Sequence, residues 1–214
     1  MASTVTRSNL KGYFNTGDKP TESNFTDLID STVNVTDDTV VTGAVSLNTT
    51  ARMAAGTGIT GVAAAIVKHN VITMGNVIET TIMIDLTGLN SGDADGDIIG
   101  DEGAANCHYG QVTAAINGTI LFGFMECFEA PLTGEPDIDL FSATVATGTE
   151  ETLITALTET SLLTTNTDWT LGLKKPLTTM PVADGYLYLV ASGGATNNTY
   201  TAGKFLIKLY GYAA

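Results

Sequence analysis

The sequence predicts an all-β fold, a β-sandwich or jelly roll, with a short helical arm at the N-terminus. First, Val77–Leu89 alternates apolar and polar side chains, which is the period of a strand with one buried face. Second, from residue 66 onward about eight segments rich in β-branched or aromatic residues are separated by turn residues. Third, the clearest helical spacing of apolar residues lies within residues 1–36.

The stretch Val77–Leu89 is the cleanest strand pattern of the chain, and its two faces differ. One face is apolar and β-branched, with Ile78, Thr80, Ile82, Ile84 and Leu86. The other is mainly polar, with Val77, Glu79, Thr81, Met83 and Asp85. A strand so apolar on one side needs a second sheet over it. We expect Gly185–Ala191 and Lys204–Tyr212 to cover it.

The remaining strands are predicted from the same period and from the turn residues between them. We expect them at Ile66–Thr73, Tyr109–Ile116, Thr119–Glu129, Asp137–Thr144 and Trp169–Leu173. The Asn117-Gly118 pair predicts a type I′ hairpin, because both residues of that turn need positive φ. The stretch 149–165 stays open, since its leucines fit a short helix while its threonines favour a strand.

Residues 1–36 are predicted to form two short helices, over 7–14 and 21–32. Apolar residues recur there at helical spacing, at Leu10, Tyr13, Phe14, Phe25, Leu28 and Ile29. Thr21 can cap the second helix, although Asn24 stands where a Gln would complete a capping box. Helices this short are marginal in water, so they need something to dock on. The candidate docking side chains are Tyr13, Phe14, Phe25, Leu28 and Ile29.

Composition divides the chain into three parts. Residues 1–36 form the helical arm, which we interpret as an anchor. Residues 37–65 are rich in glycine and small side chains and poor in charge, which predicts a linker or an extended strand that pairs with another subunit. Residues 66–214 are expected to form the β-sandwich, a jelly-roll-like domain.

The charge of the chain argues against two classes of partner. Nine basic and 23 acidic residues give a net charge of −14. Nucleic-acid binding depends on neutralising phosphates with Lys and Arg, and anionic membranes attract basic segments, so neither partner is expected. The start of the sequence lacks the apolar core of a signal peptide, and no apolar run is long enough to span a bilayer.

The low content of charged residues bears on association. Only 15% of the residues are charged, which is low for a soluble monomer. A neutral surface rich in threonine suits a protein that buries much of itself against neighbours. The alternative is a monomer with a polar, uncharged surface.

The acidic loop Asp93–Glu102 is the one carboxylate cluster with a recognisable spacing. Its aspartates alternate as they do at the start of a calcium-binding loop. However, Ile98 stands where such a loop needs glycine, and Ala104 stands where it needs glutamate. The loop is therefore interpreted either as a solvated turn or as a Ca²⁺ site of irregular geometry.

The cysteines and histidines match neither a zinc site nor a nucleophilic dyad. Cys107-His108 is an adjacent pair, but a strand would point its two side chains to opposite faces. Adding His69 and Cys127 gives no known zinc spacing. Without an export signal, Cys107 and Cys127 are expected to be free, buried thiols.

No catalytic or cofactor signature is recognisable, so we expect a non-enzymatic protein without a cofactor or a metal. None of the serines lies in a nucleophile elbow, and no glycine-rich phosphate loop precedes a helix. Trp169, Tyr186 and Tyr188 could stack on sugars in a lectin-like site. Large aromatic side chains more commonly fill cores, which is the alternative for all three.

Two parts of the sequence resemble structural proteins of tailed bacteriophages. The first is similar to a leader found on such proteins, especially marine ones. Its matching residues are Tyr13-Phe14-Asn15-Thr16-Gly17-Asp18-Lys19-Pro20-Thr21-Glu22, Phe25, Leu28, Ile29 and Asp30. The second part resembles phage virion proteins of the decoration type, with matches around Val77–Ile82, Asp137–Leu140 and Tyr200–Ile207.

This resemblance implies a function that the residues alone do not. Decoration proteins are typically sandwich or jelly-roll modules, often trimeric, on the capsid exterior. The resemblance therefore implies a cement protein of the virion that binds the major capsid protein as a homotrimer, after assembly in the host bacterial cytoplasm. Because the leader also occurs on tail-associated proteins, a tail-fibre or receptor-binding module that holds host glycans is the alternative.

Overall fold

The structure is a computed structural model that describes residues 7–17, 19–30, 60–193 and 197–213. The chain divides into two compact units, Met1–Leu47 and Asn48–Ala214. Most of the linker or extended strand predicted over 37–65 lies outside the described residues. The domain boundaries predicted after residues 36 and 65 therefore stay predictions.

In the first unit, the described residues form two short helices, α1 (Arg7–Gly12) and α2 (Glu22–Asp30). Thr21 caps α2, because its hydroxyl accepts a hydrogen bond from the Asn24 N–H at 3.3 Å. The Asn24 side-chain oxygen in turn accepts the Thr21 N–H at 2.9 Å. Asn24 thus completes the capping box at the position where a Gln was expected.

The second unit is all-β, which confirms the all-β part of the predicted fold class. Its eight strands among the described residues are β1 (Ile66–Met74), β2 (Val77–Asp85), β3 (Thr119–Leu132), β4 (Ile138–Ala143), β5 (Glu159–Leu163), β6 (Lys174–Pro176), β7 (Tyr186–Ala191) and β8 (Ala202–Tyr212). Helical structure in the described part of this unit is limited to α3 (Ala114–Asn117) and a 3₁₀ turn (Ile154–Ala156).

The strands form two antiparallel sheets. The larger has five strands in the order β1-β2-β8-β3-β6, and the smaller has three in the order β5-β4-β7. The β1–β2 hairpin turns at Gly75-Asn76, where Gly75 has φ +61°, a conformation that glycine adopts without steric cost. Along the other edge of β7, isolated bridges join Ile98 to Val190 and Gln111 to Tyr186.

One hydrophobic core contains side chains from both sheets. The face of β2 predicted to be buried is buried throughout, at Ile78, Thr80, Ile82, Ile84 and Leu86. Trp169 links the two sheets: its ring stands edge-on to Phe205 of β8 at 5.3 Å, and its indole N–H donates to the Ile138 carbonyl of β4 at 2.7 Å. Trp169 and Tyr188 therefore fill the core, which was the alternative to stacking on sugars.

Two predicted neighbours of β2 have different roles. β7 belongs to the opposite sheet, as expected for a covering strand. The prediction that Lys204–Tyr212 also covers β2 was wrong, because β8 lies beside β2 in the same sheet, with Ile82 opposite Ile207. Alternation alone gives the faces of a strand and not the sheet in which it lies.

The predicted hairpin at Asn117-Gly118 was also wrong. Asn117 ends the short helix α3, and Gly118 follows it with φ +68°. The buried Asn117 side chain accepts the Thr113 N–H at 2.8 Å and donates to the Thr80 hydroxyl at 2.9 Å. An Asn-Gly pair also suits the end of a helix, and here these buried hydrogen bonds select that conformation.

Two more predicted strands are absent from the positions expected. Residues 109–116 run along β7 without forming a regular strand, although the Tyr109 N–H donates to the Leu187 carbonyl at 2.8 Å. Residues 169–173 form a turn in which the Leu173 N–H donates to the Thr170 carbonyl at 3.0 Å. The open stretch 149–165 contains both alternatives, the 3₁₀ turn followed by β5.

Candidate interaction surfaces

The first candidate surface is the aromatic pair of the helical unit. Phe14, in the turn after α1, packs edge-on against Phe25 of α2, with ring centroids 5.8 Å apart. Both remain largely exposed, Phe14 at 43% and Phe25 at 49%. The Tyr13 hydroxyl donates to the Asp27 carboxylate at 3.0 Å, which links the turn to the second helix. The unit therefore holds two adjacent phenyl rings in water.

The five predicted docking residues are only partly brought together. Phe14 and Phe25 are in contact, and Tyr13 lies next to them in the chain. Leu28 is half-buried on α2. Ile29 lies within α2, but its side chain is outside the described part of the structure.

The second candidate surface is the outer face of the five-stranded sheet, which sequence reasoning missed. The strand register aligns one rung across four strands, with Ile72 beside Glu79, Tyr210 and Phe122. The neighbouring rung aligns Met74, Val77, Tyr212 and Thr119. We call six side chains of these two rungs the aromatic patch, namely Ile72, Met74, Val77, Phe122, Tyr210 and Tyr212.

The aromatic patch is contiguous and exposed. Phe122 stacks on Tyr210 with ring centroids 5.9 Å apart. The exposed fractions are 61% for Met74, 48% for Phe122 and 46% for Tyr212. Soluble monomers rarely expose large contiguous apolar patches, and those that exist often mark interaction sites.

Three lysines on the same outer face are paired with carboxylates. The ammonium of Lys208 donates to Glu79 at 2.6 Å, and this hydrogen bond lowers the pKa of Glu79 and raises the pKa of Lys208. Lys204 bridges Asp85 at 3.5 Å and also bonds Glu129, a contact that raises the pKa of Lys204. Farther along, Lys174 lies 3.7 Å from Glu126 and 3.5 Å from the ring centre of Phe124.

A signal for this surface was present in the sequence. Val77 and Met83 interrupt the polar face of β2, and Ile66, Ile72 and Met74 occupy alternate positions of β1. Apolar residues on the solvent side of an antiparallel sheet are informative only once the strand pairing is known. The pairing of β2 with β8, and of β8 with β3, was not predicted.

The acidic loop is tied into the fold by its own carboxylates. Asp97 is 1% exposed and accepts the backbone N–H groups of Asp93 and Ala94 at 3.0 and 2.8 Å. Asp101 accepts those of Ala63 and Ala64 at 2.9 and 3.1 Å. The solvated-turn alternative was therefore wrong for the centre of the loop, where Ile98 and Ile99 are also buried.

The Cys107-His108 pair lies outside any regular strand, and both side chains are buried. The Cys107 thiol donates to the Ala104 carbonyl at 3.1 Å, and the Cys127 thiol donates to the Glu129 carbonyl at 3.2 Å. Burial raises the pKa of the Cys107 thiol to about 12, so the nucleophilic thiolate is disfavoured. Within the described ranges, no group of three or more His, Cys, Asp or Glu side chains is arranged to hold a metal.

Two ionisable side chains are buried with incomplete hydrogen bonding. Neither ring nitrogen of His108 has a hydrogen-bond partner, and burial lowers its pKa to about 4. Glu150 accepts the Gly103 N–H at 2.9 Å through Oε2, but Oε1 has no partner. Burial raises the pKa of Glu150 to about 7.

A cleft of about 150 Å³ lies between α3, the start of β3 and the loop 181–183. Its lining is uncharged throughout, with Val112, Thr113, Ala114, Gly118, Thr119, Ile120, Pro181, Val182 and Ala183. Acid–base catalysis needs positioned titratable groups, which this lining does not offer. The cleft adjoins the outer face of the sheet, because Thr119 pairs with Tyr212.

In the parts of the chain that are described, no helix has both the length and the apolar character needed to cross a membrane. Comparison of the chain with protein-family models, with curated proteins and with solved structures found no match. The features of this chain that bear on function are therefore its two exposed surfaces, its charge and the resemblance of its sequence to phage structural proteins.

Proposed function

We propose that this chain is a non-enzymatic structural protein of a phage virion. In this proposal it is a decoration, or cement, protein that binds the capsid exterior as a homotrimer and stabilises it. We further infer that its two antiparallel sheets form a β-sandwich of the jelly-roll type. The observation that carries the proposal is the exposed Phe14–Phe25 pair of the short helical unit.

The helical unit has the properties of an anchor. Its capping box and the Tyr13–Asp27 hydrogen bond define the local conformation, while its largest apolar side chains face water. Large aromatic side chains that enter pockets of a partner supply most of the binding energy of an interface. We propose that Phe14 and Phe25 enter such a pocket on the major capsid protein.

The charge of the body suits a position on the capsid exterior. A chain with a net charge of −14 is repelled by packaged nucleic acid and does not compete for its phosphates. Acidic surfaces also keep free trimers from aggregating in solution before they reach the capsid. The binding energy must then come from apolar contacts, which the aromatic pair supplies.

One way in which a tail-fibre module could hold glycans is by stacking them on aromatic side chains. Trp169 and Tyr188 lie in the core, and the Tyr186 ring packs edge-on against His108 with centroids 4.8 Å apart. These three side chains were the ones considered for sugar stacking. Because these side chains pack within the protein, we propose a location on the capsid and not on a tail fibre.

The test is binding to undecorated capsids of the same phage. The double variant Phe14→Ala/Phe25→Ala should bind at least about tenfold more weakly, because two anchors are truncated outside the core. Leu171→Ala is the matched control: Leu171 is an apolar side chain, 74% exposed, in the second unit. Unchanged binding by the double variant, with a cooperative melt by circular dichroism, would rule out the anchor.

A further inference from the structure

We propose that the outer face of the five-stranded sheet is the surface through which copies of this chain associate. The aromatic patch forms the centre of the contact. This inference rests on the trimeric part of the proposed function, and it assigns that role to a surface separate from the helical anchor. The occupant of the face is a second copy of this chain.

The area of the patch is of the right order for a specific interface. Five of its six side chains are between 41% and 61% exposed. Side chains of this size present on the order of 100 Å² each when half exposed, so the patch offers roughly 500 Å² before its rim is counted. A standard interface buries about 800 Å² on each partner, which the patch and its rim together can supply.

The distribution of charge identifies the occupant. The outer face carries four lysines and four carboxylates, namely Lys68, Lys174, Lys204, Lys208, Glu79, Asp85, Glu126 and Glu129. It therefore has no net charge, although the chain carries −14. Copies that meet through this face around a threefold axis avoid the like-charge repulsion that their other surfaces impose. A basic partner would instead select one of the acidic surfaces.

The ion pairs of the face also permit its burial. Glu79 and Lys208 lie on adjacent strands next to the patch and bond each other at 2.6 Å. Burying a charge costs much more when its partner is missing than when it is paired and hydrogen-bonded. Here each copy brings its own pair, so a second copy needs to supply only apolar contacts. Three such faces turned toward a common threefold axis would join the copies as a trimer.

The experiment is the molar mass of the purified full-length chain, measured by light scattering after size exclusion over a range of concentrations. Phe122→Lys places a cation within the patch, beside Tyr210, at a position that is 48% exposed, so the core is left intact. We expect a trimer for the unmodified chain and at least a tenfold weaker association for this variant. Val77→Lys, on β2 and 45% exposed, provides an independent second variant.

Leu171→Lys is the control, since it makes the same change of charge at an apolar side chain that is 74% exposed, in the loop before β6 and outside the two rungs of the patch. Circular dichroism melts establish that each variant is folded. If the unmodified chain is a trimer and both patch variants remain trimers, the proposed surface is wrong, whereas the trimer itself stands. If the unmodified chain is a monomer, both the proposed surface and the trimer are wrong. Capsid binding by the aromatic pair is measured separately and is unaffected by either outcome.

Discussion

Glu150 offers a quantitative test of the buried polar structure. Its side chain is 3% exposed, and only one of its carboxylate oxygens has a hydrogen-bond partner. Burial, with smaller contributions from the nearby carboxylates of Glu151, Glu102 and Asp97, raises the pKa of Glu150 to about 7. The folded protein therefore holds a proton that the unfolded chain releases near pH 4.5.

The sign and size of the effect follow from this difference in proton binding. Between pH 4.5 and about 7 the folded state binds more protons than the unfolded state, so the free energy of unfolding falls as the pH rises. A pKa difference of this size corresponds to about 3 kcal/mol. The stabilising contribution of the protonated carboxyl is complete below pH 4.5 and is lost above pH 7.

The perturbation is Glu150→Gln, which keeps an oxygen to accept the Gly103 N–H but cannot ionise. We expect the variant to match the unmodified protein near pH 4.5 and to exceed it by about 3 kcal/mol at pH 8. The assay is urea unfolding followed by circular dichroism at a series of pH values. Glu159→Gln is the control, because it makes the same substitution at a half-exposed residue on β5. If Glu150→Gln increases the free energy of unfolding by the same amount at every pH, or by more at acidic pH, then the raised pKa of Glu150 is wrong.

Two further predictions concern buried groups in the same region. His108→Phe keeps the packing against Tyr186 and Tyr188 but removes a group whose pKa burial lowers to about 4. As the pH falls from 6.5 to 4, the free energy of unfolding of the unmodified protein should therefore fall by about 3 kcal/mol relative to that of this variant, measured by urea unfolding. If the two free energies of unfolding change equally with pH, the lowered pKa of His108 is wrong. Cys107 and Cys127 should resist alkylation in the native protein and both react in denaturant without reductant, by intact mass. Failure to label two thiols in denaturant would indicate a disulfide.

The parts of the fold that could be predicted were those governed by local pattern. β2 alternates cleanly, and its buried face agrees residue by residue with the sequence. Thr21 caps α2 because its hydroxyl needs only a neighbour three residues away. Asn117-Gly118 was misjudged because the bond from Asn117 to Thr80 spans distant parts of the chain, which no local pattern reports.

The candidate site shows the same division. Phe14 and Phe25 were recognised from helical spacing, and they do meet. The aromatic patch was not recognised, because it exists only after β2 pairs with β8 and β8 pairs with β3. Phe122 and Tyr210 are far apart in the sequence, and their stacking is a consequence of strand register. Surfaces that arise from long-range pairing therefore need the structure.

The proposed location on the capsid exterior is tested by the copy number of this chain on purified phage particles. Quantitative mass spectrometry against the major capsid protein gives that number. We expect many copies, in a fixed integer ratio to the lattice positions of the capsid. A few copies that co-purify with detached tails, or complete absence from the particles, would contradict it.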